Sequence, residues 1–166
     1  MNAKVIGMAV AGTAVVATGI AAKIVRSKKA KADEAMRLQK IDSLMTSIKE
    51  YIDDIERDAN SIDATDAAGA LSVAERMQDL THFLVAHIND ANIDLVANET
   101  EDGIAVFGLA SLDYDSDIKP VMIHLLNIES NISGMRKLDL DSDEYLFRYF
   151  KNRILAEVND TKALMA

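Results

Sequence analysis

"LQKIDSLMTSIKEYIDDIERDANSI", residues 38–62, carries the pattern from which the fold is read. Its apolar positions Leu38, Ile41, Met45, Ile48, Ile52, Ile55, Ala59 and Ile62 are spaced alternately three and four apart. On a helix of about 3.6 residues per turn, that spacing puts them all along one side. Such a seam closes either a coiled coil or the core of an intramolecular bundle. The flanking charges do not specify a parallel dimer, because Arg37 could pair with Asp42 but Asp58 would face Asp63. Leu44 and Tyr51 widen the stripe, as a bundle requires. A bundle core is the favoured role, and a homo-oligomeric stalk is the competing one.

Working toward the amino terminus, no Gly or Pro interrupts the chain between Gly19 and Gly69. A helix can therefore run unbroken through this region. It begins in an apolar run: none of residues 5–22 is charged, and Ile24 and Val25 extend the run past Lys23. Residues 5–25 would rise about 31 Å as a helix, against about 30 Å of bilayer hydrocarbon. The run contains no Leu, Trp or Tyr and includes three Gly and two Thr, so its insertion is expected to be marginal. Small residues Ala9, Thr13, Ala17 and Ala21 recur every four positions, with Gly12 and Gly19 beside them. Such a ladder is a candidate face for helix association.

Lys23, Arg26, Lys28, Lys29 and Lys31 follow directly and form a basic collar. Positive charge at this place retains a segment on the cytoplasmic side, which favours an uncleaved anchor in a bacterial inner membrane over a signal peptide cut near Gly19-Ile20-Ala21. The collar also suits anionic lipid headgroups. Residues 1–31 hold six Lys/Arg and no acid, while the rest of the chain holds 12 Lys/Arg against 27 Asp/Glu. An acidic body of that kind disfavours nucleic acid as a partner.

Toward the carboxyl end, residues 60–69 read as a turn, and Ser72-Val-Ala-Glu75 reads as a capping box opening the next helix. Val73, Met77, Leu80, Leu84, Ile88 and Ala91 give that helix one apolar face. Two short apolar runs, 93–97 and 104–109, flank a polar loop and suggest either a β-hairpin over about 93–109 or a pair of short helices. Leu112-Asp-Tyr-Asp-Ser-Asp117 and Leu138-Asp-Leu-Asp-Ser-Asp143 share one form, and each introduces a helical pattern: 118–131, ending near Gly134, and 144–158. These segments read as helix caps, because an EF-hand loop needs Gly at its sixth position and Glu at its twelfth. Here the corresponding residues are Ile118 and His124 in the first copy, Glu144 and Phe150 in the second.

The sequence shows no catalytic, cofactor or metal motif. It has no Cys, no Gly-rich phosphate loop and no His-Glu-x-x-His. His82 and His87 are five apart and point to different faces of a helix. Tyr145-Leu-Phe-Arg-Tyr-Phe150 puts Leu146, Phe147 and Phe150 on one stripe with Ile154, a core anchor rather than a base-stacking platform.

The expected architecture is all-α: a membrane anchor with its collar over 1–31, a heptad-patterned helix or stalk over 32–64, and an acidic helical domain over 65–166. The expected role is a non-enzymatic scaffold that presents the acidic domain to a protein partner on the cytoplasmic side. The chain also resembles, in general character, the prohead core proteins of tailed phages, whose maturation protease cuts after Leu/Ile-x-Glu. Ile48-Lys-Glu50 and Leu155-Ala-Glu157 fit that triplet. The resemblance implies a scaffold in the prohead interior with a buried apolar arm. A third reading is an exported helical domain released by signal cleavage.

Overall fold

The computed structural model describes residues 3–97, 114–139 and 142–166, with backbone alone for 3–22, 24 and 97. It contains helices α1 (Ala3–Ser61), α2 (Ala67–Ala97), α3 (Lys119–Arg136) and α4 (Glu144–Leu164), and no strand occurs among the described residues. The chain divides into two compact units, residues 1–40 and 41–166. The heptad-patterned stretch 32–64 is thus shared between them.

The larger unit is a four-helix bundle. Ile48, Ile52 and Ile55 of α1, Met77, Leu84 and Ile88 of α2, Leu125, Ile128 and Ile132 of α3, and Phe147, Ile154 and Val158 of α4 are fully buried in one cluster. The seam of α1 is spent inside the chain: Ile41, Leu44, Ala59 and Ile62 are buried as well, and Met45 and Tyr51 are partly buried. Leu38 begins the sequence pattern but is 50 % exposed, so the buried seam starts one position later, at Ile41.

Polar contacts between helices fix the topology. Arg136, Ser133 and Glu129 of α3 meet Glu75, Gln78 and His82 of α2 in reverse order, so these helices are antiparallel. His124 meets Glu157 on α4, while Gly134 packs against Phe150, again antiparallel. Arg76 near the start of α2 reaches Asp58 near the end of α1, and Lys162 near the end of α4 reaches Asp53 and Glu56. Each helix therefore runs opposite to the next and α4 closes on α1, an up-down-up-down arrangement.

The connections differ from the sequence reading in two places. α2 starts at Ala67, five positions before the Ser72 capping box, because Asp66 performs the capping. Its Oδ1 accepts a hydrogen bond from the Gly69 amide at 3.0 Å, and its carbonyl accepts one from Ala70 at 2.8 Å. That is N-cap geometry at the third amide of the helix, and the carboxylate sits where a Cβ on residue 69 would stand. Residues 93–97, read as either the first strand of a hairpin or a short helix, are the end of α2. Leu95 continues the buried face of Leu84 and Ile88, and the remainder of the proposed hairpin lies outside the described residues. As read, α3 ends near Gly134, with Arg136 its last residue, but Gly134 is inside the helix and not its cap. A side chain at 134 would collide with the Phe150 ring, so Gly is required there for the approach of α4 rather than for a turn.

Among the described residues no helix is long and apolar enough to cross a membrane. The expected anchor falls on residues 5–22, whose backbone is helical and whose side chains lie outside the described set.

The register of the seam is open to a direct test. Ile52→Ala removes a fully buried side chain from the core and is expected to cost about 2–5 kcal/mol in urea unfolding. Leu38→Ala, at the exposed start of the pattern, is expected to change stability by less than about 0.5 kcal/mol. Comparable losses at both positions would mean that the seam is buried over its whole length.

Candidate functional site

The five collar residues lie on a helical stretch of α1 and all are exposed. At about 100° per residue, Lys23, Arg26, Lys28, Lys29 and Lys31 point to every side of the helix. Val25 among them is 64 % exposed, and no described residue of 23–31 is buried. An in-plane amphipathic helix would gather its cations on one side. A ring of cations is the arrangement in which headgroups can surround a helix that stands across an interface. The ladder residues Ala9, Gly12, Thr13, Ala17, Gly19 and Ala21 share the helical backbone, and their side chains lie outside the described residues.

On the bundle, most charge is solvated, and the few buried polar groups are satisfied. Asp58 is buried and receives two hydrogen bonds of 2.7 Å, from Nε and Nη2 of Arg76. This bidentate contact pairs charge with geometry, and it holds the Arg76 guanidinium above its ordinary pKa through that hydrogen bond and the Asp58 charge. Lys162 is likewise held above its ordinary value by bonds to Asp53 and Glu56. Lys151 donates to the carbonyls of Asn60 and Ile62, at 3.4 and 2.9 Å, and so caps the carboxyl end of α1. Thr81 and Thr161, both buried, donate back to the carbonyls of Met77 and Glu157.

One cluster was not visible in the sequence. His124 of α3 is 2.7 Å from Glu157 of α4 through Nδ1 and Oε2, and Asp160 lies one turn along α4 from Glu157. One donor atom from each of the three residues can be chosen so that all lie within 4.8 Å of one another. Glu157 is buried, His124 half-buried and Asp160 exposed. Burial raises the Glu157 pKa, but hydrogen bonds from His124 and Asn127, with the charges of His124 and Arg153, outweigh it and leave the carboxyl below its ordinary value. His124 and Glu157 are 33 positions apart, so only the pairing of α3 with α4 brings them together.

The remaining sequence candidates have structural roles. His82 and His87 are exposed on α2, and His82 Nε2 bonds Glu129 Oε1 across to α3 at 2.7 Å. Phe147 is a fully buried core residue and Phe150 is partly buried, whereas Leu146, placed on the same stripe, is 42 % exposed. In the first Asp-rich segment, Asp115 is buried and its Oδ1 accepts from the Asp117 amide, while its own amide donates to Asn92. Neither Ile118 nor Asp143, the N-cap residues of α3 and α4, makes a side-chain cap bond; Pro120 supplies the helix start of α3. The two Leu/Ile-x-Glu triplets lie within helices, and each has a buried member, Ile48 or Glu157.

No protein family, curated protein or solved structure was found to match the chain.

The depressed Glu157 carboxyl ties stability to pH. Such a group contributes stability above its unfolded value, about 4.3, and loses it as pH falls through the folded value. Glu157→Gln is therefore expected to lower the melting temperature at pH 7, with the gap to the natural chain closing below about pH 4. A gap that stayed constant from about pH 7 to about pH 3 would assign the loss to packing instead.

Proposed function

We propose that this protein is a membrane-anchored, non-enzymatic scaffold that holds an acidic four-helix bundle at the cytoplasmic face of a bacterial inner membrane. The observation that carries this reading is the exposed cation ring on a helix, directly after the uncharged residues 5–22. A helix apolar on all sides needs an apolar surround, and a cation collar at one end specifies which compartment that end faces. Each cation near an anionic leaflet contributes about 1 kcal/mol, so the collar reinforces a span that is itself barely apolar enough.

The bundle supports the second half of the reading. Residues 41–166 hold ten Lys/Arg against 25 Asp/Glu, and the apolar seam is consumed internally. What remains for a partner is a charged outer surface, suited to a basic protein face rather than to nucleic acid or to the anionic membrane itself. The absence of Cys in the chain makes the topology measurable, since a single Cys can be introduced without background labelling.

Asn152→Cys, at an exposed position on α4, is the probe. The full chain is expected to remain with membranes after extraction at high pH, and the introduced thiol to react with an impermeant maleimide only after spheroplasts are lysed. Release of the chain at high pH would remove the anchor, and labelling in intact spheroplasts would reverse the orientation. Replacing the five collar residues with Gln is expected to make labelling in intact spheroplasts appear, because orientation then loses its charge bias.

A further inference from the structure

We propose that His124, Glu157 and Asp160 form a binding site for a divalent transition-metal ion of the zinc class, clamping α3 to α4. The bundle treats its buried interhelical carboxylates Asp58 and Glu157 unequally. Asp58 is answered by two 2.7 Å bonds from one guanidinium. Glu157, also buried, has the Arg153 guanidinium only at 3.8 Å, and a second carboxylate, Asp160, lies on the same helix three residues on. Two carboxylates beside one imidazole leave an excess of negative charge in a partly dehydrated corner, where a cation is stabilised most.

The donor set defines the ion. One imidazole nitrogen and two carboxylate oxygens suit zinc and its neighbours, whereas magnesium and calcium prefer oxygen donors alone. Tetrahedral zinc, with bonds of about 2.0 Å, places its ligand atoms about 3.3 Å apart. The three donors here already lie within 4.8 Å of one another, and the exposed Asp160 side chain can turn to close the difference. His124 would present Nδ1 to the ion with its ring proton on Nε2, exchanging its bond to Glu157 for a shared ligand. Three protein ligands leave a fourth position for water. Arg153, which is more than half exposed, can swing away from Glu157 as the ion enters.

The test is thermal unfolding of the full chain in detergent, stripped with EDTA and then given zinc chloride or magnesium chloride. Zinc is expected to raise the melting temperature by about 5 °C at a large excess over its dissociation constant, with one ion bound per chain by calorimetry. Asp160→Asn keeps the His124–Glu157 bond, so it should melt like the natural chain without metal and lose the rise with zinc. His124→Ala should also lose the rise, although it removes an interhelical bond and lowers the starting value. No rise in the natural chain, an equal rise in Asp160→Asn, or an equal rise with magnesium would each overturn the assignment.

Discussion

Burial of the α1 seam, residues 41–62, inside its own chain governs how the other three helices are placed. Ile48, Ile52 and Ile55 are completely covered by residues of the same polypeptide, so this face is not available to a second copy. Hydrophobic burial is non-directional and does not by itself choose a register. The register is chosen at the edges of the seam, by Arg76 on Asp58, by Lys162 on Asp53 and Glu56, and by Lys151 on the last carbonyls of α1. Asp58 matters most among these, because a buried carboxylate without its guanidinium would be an uncompensated charge.

Closing the core in this way leaves an outer surface with little to offer except charge. An acidic excess of this kind repels other polyanions. On the proposed reading this surface would meet a basic protein partner, with on-rate and specificity set by charge and affinity by contacts made after encounter. The first unit has the opposite character, with exposed cations on every side of a helix and no buried residue among 25–36. Two segments of one chain thus carry opposite signs.

How much of this was legible in the sequence follows from what kind of interaction each feature uses. The seam was legible because its three-four spacing is a local property of one helix, and so was the all-helical class, since Gly and Pro are almost absent from the long segments. Leu38 and Leu146 fit their stripes but are exposed, because periodicity gives the side of a helix and not the length over which a neighbour covers it. The Ser72 and Glu75 pattern satisfied a capping rule, yet Asp66 was already serving the Gly69 amide upstream. Residues 93–97 could be read as strand or helix because a short apolar run reads alike in either form; Leu95, together with Asn92, which accepts from the Asp115 amide, ties the segment to the bundle as helix. The cluster of His124, Glu157 and Asp160 had no local signal beyond the Glu-x-x-Asp spacing on α4, since its imidazole arrives from another helix.

Whether one chain closes its own core can be read from sedimentation equilibrium of residues 41–166 over a wide concentration range. A single folded species of monomer mass is expected at every concentration. A dimer or larger assembly that dissociated only when the core unfolded would show that the seam pairs between chains, and would contradict an intramolecular bundle.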